Sequence, residues 1–358
     1  MFNKMMLIKA LYAILLMMIL SSVSCTNYGP KTLNKDQLDY GRSIGDTWKN
    51  QMLVNLVKLR YIDMPVFVDV GQIVSGYSIE TSLQGIAGFN NNFLGVDSQS
   101  IGVEGKYTDR PTITYTPKTG EDYLRSILEP VEPRALLTLI LTGYDADLLL
   151  TWAVESINGI KNYTTSKSDT LTPDPRFIEF VHLMSNLQQA GSIGFEVEND
   201  PNTQHDIFFI LRNRNLDDRA RDKRRRAREL LGIDANVNKF RVLYSPFAID
   251  DDVIAIQTRS ILQMLIAMAG FVDVPPDKAS RALPGYIISP GMPRPFRVYT
   301  SQTKPESAFA SVKYYDDWYW IEHDDLASKE VFTLMLFLTT LTNRVDTENT
   351  PVLSIPTN

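Results

Sequence analysis

The chain has 358 residues, 44 % of them hydrophobic, and a formal net charge of −6, enough length and apolar content for two domains or one large one around a substantial core. Its single cysteine, Cys25, excludes an intrachain disulfide and any zinc site built from thiolates. Stability must therefore come from packing.

At the amino terminus, Lys4 and Lys9 form a short basic region ahead of an apolar run, Ala10 to Leu20, that is too short to span a bilayer comfortably. Ser22-Val23-Ser24-Cys25 then places small residues immediately before the thiol. The pattern resembles the bacterial lipobox. That resemblance implies that residues 1–24 are a signal peptide removed on maturation, and that Cys25 is diacylated and its new amino group acylated, with palmitate-type chains as the membrane anchor. Two or three chains hold firmly, because each buried methylene contributes about 0.8 kcal/mol and one chain alone binds only marginally. Later in the chain the most apolar stretch, Val331 to Leu341, is too short to cross a membrane and contains threonines. Thr26 follows the cysteine where an aspartate would favour inner-membrane retention, so the same resemblance implies the outer membrane. Loss of residues 1–24 removes Lys4 and Lys9 and no acid, leaving 34 basic against 42 acidic residues, a net charge of −8.

Residues 25–33 read as a lipidated tether. From Asn34 to Tyr61 an apolar stripe at Ile44, Trp48, Met52, Leu56 and Leu59 predicts one long amphipathic helix, stopped by Asp63 and Pro65. Asn55 lies among apolar neighbours and needs a hydrogen-bond partner if buried. From Val66 to Tyr115 the period changes to two. Tyr77, Ile79, Thr81 and Leu83 alternate with polar residues, as do Ile101, Val103, Gly105 and Tyr107, predicting antiparallel strands around a turn at Gly88 to Asn92. Glycines 71, 76, 85, 88, 95, 102 and 105 suggest bulges or close backbone approach. A protein core explains this alternation, and strand contribution to an oligomeric barrel is a second explanation that the strand length permits.

Residues 121–191 read as mainly helical, broken by a Ser/Thr-rich loop at 161–175 that is the best candidate for a linker between segments 34–160 and 176–358. The second half predicts helices 176–190, 217–231, 252–269 and 325–342. Its strands fall at 193–198, 206–212, 240–244 and near 296–300 and 352–355, with a hairpin of 308–314 and 318–322 turned by Asp316-Asp317. Gly191 and Gly270 read as matching glycine caps. The fold class is α+β: a long helix, an antiparallel meander, a helical segment and a mixed second half.

The chemical motifs are mostly absent: no HExxH, P-loop, GxGxxG or DxDxDG pattern occurs, and the GxSxG spacing at Gly41 to Gly45 lies inside the predicted long helix and not at a strand-to-helix elbow, so no cofactor or metal is implied. His182, His205 and His323 share no spacing, and each reads first as a structural group. Asp250-Asp251-Asp252 and Asp324-Asp325 read as helix caps. The most charged element, Arg212 to Arg228, would place Arg221, Arg224, Arg225 and Arg228 on one helix face and dock through Leu216, Ala220, Ala227 and Leu231. That face is a candidate contact for lipid phosphates, an acidic envelope polymer or an acidic partner; a solvated salt-bridged face is the plainer reading, and the envelope compartment disfavours nucleic acid. In Tyr314 to Trp320, alternation buries Trp318 and Trp320 and leaves Tyr319 outward as a candidate aromatic platform, with core packing of the aromatics the plainer reading.

Asn55 to Tyr61 with Asp63, Pro65 and Phe67, together with Val154 to Gly159 and Pro295 to Val298, resembles an uncharacterised family of bacterial envelope lipoproteins. The resemblance implies an envelope location and no catalytic residue. The resulting expectation is a non-enzymatic outer-membrane lipoprotein serving as scaffold or accessory subunit, with envelope proteins or further copies as partners. The alternative is a carboxylate-dependent hydrolase of glycan or peptidoglycan, which would need two acids across a cleft.

Overall fold

The computed structural model describes residues 29–74, 77–87, 99–109, 112–162, 174–198, 206–212, 217–285 and 294–342. Cys25, His205, Arg214, Leu216, the turn at Gly88 to Asn92, most of the 161–175 loop and the strand expected near 352–355 lie outside them. The fold is α+β, 47 % helix and 22 % strand in mixed sheets. The chain divides into two compact units, 1–49 and 50–358. One continuous helix, α1 (Gly29–Arg60), begins five residues before the expected start and takes in part of the expected tether.

Within the larger unit the final turns of α1 are buried through Met52, Leu53, Leu56 and Val57; in the smaller unit, Trp48 of the expected stripe is substantially exposed. Asn55 is fully buried and solves its own desolvation problem. Its Nδ2 donates to the Val66 carbonyl at 2.8 Å and its Oδ1 accepts from the Val66 N–H at 2.9 Å, so one amide replaces a neighbouring strand. Gln51 Nε2 adds a bond to the Val68 carbonyl at 3.0 Å. These contacts position the chain where it enters β1 (Val68–Val74), β2 (Tyr77–Ala87), β3 (Gln99–Asp109) and β4 (Thr112–Pro117).

The helices α2 (Glu121–Leu128), α3 (Pro133–Leu141) and α4 (Ala146–Ala153) follow. The chain then forms a short hairpin, β5 (Val154–Ile157) and β6 (Ile160–Lys161), inside the stretch expected to be helical. Asn158 at φ 44° and Gly159 at φ 79° make its two-residue turn, and Asn-Gly is the pair that tolerates two left-handed residues best. Asn158 also accepts from the Ala255 N–H and donates to the Leu231 carbonyl, tying the hairpin to the rest of the body.

Next come α5 (Pro175–Gln189), β7 (Ile193–Glu198), β8 (Asp206–Leu211), α6 (Asp218–Leu231), β9 (Lys239–Leu243), β10 (Val253–Thr258) and α7 (Ile261–Ala269). Six strands form one sheet in the order β6-β5-β10-β9-β8-β7, antiparallel except for the β9–β10 pair. Strands from both sides of the expected linker join this sheet, so the 161–175 segment connects parts of one folded body. The expected helix 252–269 begins as strand: Val253-Ile254-Ala255-Ile256 is buried throughout, and a run rich in β-branched residues and packed on both faces suits a central strand. Asp250–Asp252 therefore precede a strand and cap no helix. The real helix start is Ser260, whose side chain and that of Gln263 form a reciprocal capping box. Gly191 closes α5 at φ 62° as expected, but Gly270 stays right-handed at φ −61°, so the two ends are not equivalent.

The chain finishes with β11 (Tyr299–Ser301), β12 (Ala310–Tyr314), β13 (Asp317–Ile321) and α8 (Leu326–Thr342), the three strands ordered β11-β13-β12. The β12–β13 turn is Tyr315-Asp316, one residue earlier than expected, while Asp325 caps α8 through Ser328 as expected. Replacing Asn55 by leucine would strand both polar groups of Val66, and urea denaturation is expected to show a loss of about 2–4 kcal/mol.

Candidate interaction surfaces

Three surfaces collect the residues that packing does not explain. The first is the strand pair after α1. β1 pairs antiparallel with β4 and β2 with β3, and Val74–Thr112 and Tyr77–Asp109 are three residues apart along both strands, so the two ladders share one register. The single register shift lies between Val70 and Gln72, at Gly71. Gly85, Gly102 and Gly105 produce no bulge, because all eleven pairs from Tyr77–Asp109 to Ala87–Gln99 are regular. Among the described residues each of these strands pairs with one partner only, so the ribbon has two unpaired outer edges. An isolated two-stranded ribbon is marginal in water, and open edges invite further strands.

The second surface is α6. Ala220, Ala227 and Leu231 dock it as expected, but Arg224 and Arg228 fall on that same stripe, four and eight residues after Ala220. Arg228 is only 4 % exposed. Its guanidinium donates to the Asp234 and Val237 carbonyls and to Asn238 Oδ1, and it lies 5.4 Å from the Phe240 ring centre. Arg224 donates to the same Asn238 oxygen at 2.5 Å, and burial lowers the pKa of both arginines. The expected four-arginine contact face is thus divided. Arg221 and Arg225 remain exposed, paired with Asp218 and Asp222, each three residues earlier in the helix. Arg226 reaches Glu179 of α5 with two bonds, at 2.7 and 3.0 Å, and so bridges the two helices.

The third surface surrounds the end of α1. The Ile62 N–H bonds to Leu59 and the Asp63 N–H to Lys58, the double bond pattern of a Schellman cap. The ends at Gly143, Gly191 and Gly232 show the same pattern with a left-handed glycine at the equivalent position. Here the position is Ile62 at φ 63°, a β-branched residue where its Cβ crowds the backbone. Ile62 and Met64 are 72 % and 75 % exposed, next to exposed Tyr315, which is itself left-handed at φ 48°. Asp63 accepts from the hydroxyls of Tyr314 and Tyr315.

Tyr319 is 1 % exposed, its hydroxyl 2.7 Å from that of Tyr61, and the half-buried Trp318 and Trp320 occupy the opposite face. The platform expectation is therefore reversed: the alternation of β13 is as expected, but the face packed on the body is the one carrying Asp317, Tyr319 and Ile321. Burial, then the Tyr61 hydroxyl, raises the Tyr319 pKa. Nothing in the sequence pattern marks Ile62, because a left-handed cap is ordinarily read from glycine.

The positioned acids serve structure. Asp145, Asp174 and Asp217 cap helices, Glu155 pairs with buried Arg259, Asp317 with Lys278, and Asp273 with Arg294 and Arg297. A cavity of about 30 Å³ between α3–α5 and the six-stranded sheet is lined by apolar side chains such as Leu137, Phe180 and Ile254. His182 pairs with Asp147 at 2.9 Å, and among the described residues no group of histidines and acids is arranged to hold a metal. No helix among the described residues is long and apolar enough to cross a membrane. Comparison of the chain with protein-family models, with curated proteins and with solved structures returns no match.

Arg228→Ala is expected to cost about 2–3 kcal/mol in urea denaturation, because it removes a buried side chain and its charge-assisted hydrogen bonds to the Asp234 and Val237 carbonyls, while Arg225→Ala changes stability by about 0.5 kcal/mol or less. Ile62→Gly relieves the left-handed strain and is expected to raise stability by about 1 kcal/mol, read as a higher urea midpoint at unchanged slope.

Proposed function

We propose that this chain is a lipid-anchored subunit of a cell-envelope assembly, tethered at the outer membrane through acylated Cys25 and joined to its partners by strand addition at the β2–β3 ribbon. The observation that carries the assembly role is the ribbon: regular pairing over eleven residue pairs with no further strand on either edge among the described residues. The lipobox-like segment supports the anchor, and the acids' roles in caps and ion pairs favour a scaffold over a carboxylate hydrolase.

Two variants separate anchor from assembly. The native protein is expected to incorporate labelled palmitate and to lack residues 1–24 by mass spectrometry, and Cys25→Ser is expected to abolish the labelling. Replacing residues 77–109 by an Asn-Gly turn keeps the anchor and is expected to reduce the detergent-extracted complex to monomer by light scattering. An unchanged complex after that replacement would refute the ribbon as the joining element.

A further inference from the structure

We infer that the partner at the ribbon's open edges is a second copy of this chain, and that several ribbons close edge to edge into one β-barrel crossing the bilayer. This rests on the proposed lipid-anchored assembly and names its partner.

Strand length is the first support. Eleven residues at about 3.3 Å each extend about 36 Å, and at a tilt near 40° such a strand rises about 28 Å, the depth of the hydrocarbon core. Placement of charge is the second. The register puts Glu80, Glu104 and Lys106 at positions sharing one face, with Glu80 opposite Lys106. The other face carries Ile79, Thr81, Leu83, Ile101, Val103 and Tyr107, and its one charge, Asp109, stands at the last pair beside Tyr77. A barrel wall needs that arrangement: uncharged outward, polar inward.

Edge chemistry is the third support. Strands that must stay single in water carry prolines, bulges or inward charges. Over Tyr77–Ala87 and Gln99–Asp109 there is no proline, the pairing has no bulge, and the single lysine faces Glu80 across the strands. In a bilayer every backbone group needs a partner, so two strands cannot cross alone and the edges must close on something. Copies of this chain solve the closure: β3 of one copy lies antiparallel to β2 of the next, each copy adds two strands, the count stays even and the uncharged face stays outward. About eight strands make the smallest such barrel, so about four copies or more are required.

Because Cys25 is the chain's only cysteine, thiols can be placed at will. Full-length Ser82→Cys protein is co-expressed with full-length chains bearing Ser100→Cys, Gly102→Cys, Lys106→Cys or Thr108→Cys, oxidised in intact cells, and then reconstituted into vesicles of outer-membrane-type lipid loaded with a small dye. The expected result is disulfide-linked multimers of this chain at one or two β3 positions, together with dye release. Val103→Arg, on the outward face, is expected to cut release at least tenfold, whereas Gln84→Arg on the inward face preserves release and shifts ion selectivity. The urea midpoint of the body outside 77–109 reports whether each variant folds. Self-cross-links without dye release, or release that Val103→Arg leaves unchanged in a folded body, would overturn the barrel. Cross-links to a different envelope protein alone would overturn it while leaving the assembly role intact. No cross-link from any ribbon position would overturn both.

Discussion

A backbone N–H or C=O withdrawn from water must find a partner, and that requirement organises the body of this protein. Where secondary structure ends, polar side chains take over. Asn55 substitutes for a strand beside Val66, and Asn162 holds the Thr151 and Val154 carbonyls. Gln188 receives the Ala146 N–H and donates to the Ile140 and Tyr144 carbonyls, stitching the end of α3 to the start of α4. Arg228 does the same for the loop after α6. Asn55, Asn162 and Arg228 are buried and Gln188 is half-buried, and each supplies a partner to backbone groups that secondary structure leaves unmet.

The ribbon stands apart from that rule. Its inner ladder is complete and its outer edges are unpaired among the described residues, so the hydrogen bonding that closes the body is left open where the chain most resembles a module for joining. Strain follows a similar division. Three Schellman ends use glycine, while the one at Ile62 accepts a β-branched residue beside exposed Met64 and Tyr315. A cost of about 1–2 kcal/mol held at an exposed position is not returned by packing there.

Much of the architecture was legible from periodicity. The eleven-residue alternation located β2 and β3, the stop at Asp63 and Pro65 located the end of α1, and Asp325 announced the start of α8. Other signals were present but ambiguous. Asn158-Gly159 is a strong two-residue turn, yet it lies between apolar runs that also suit a helix. Val253 to Ile256 is a continuous apolar run, for which helix and buried strand have the same signature. The candidate sites fared less well: the arginine spacing was read correctly as helical, but its direction relative to the body was not in the spacing. Arg224 and Arg228 share the stripe of Ala220 and Ala227, and a guanidinium can be buried there only because the loop at 234–238 brings carbonyl oxygens to it.

Local patterns alone determined that the chain is α+β, that an amphipathic helix precedes a long alternating hairpin, and that the single cysteine follows a short apolar run and small residues, because each depends on neighbours within a few residues. Tertiary structure decided which face of β13 is buried, that strands from both sides of the 161–175 loop share one sheet, that Arg228 serves the core, and that the ribbon takes no third strand among the described residues. Those outcomes depend on partners up to hundreds of residues away, as when Tyr61 meets Tyr319, and a pairing at that separation leaves no period in the sequence to read.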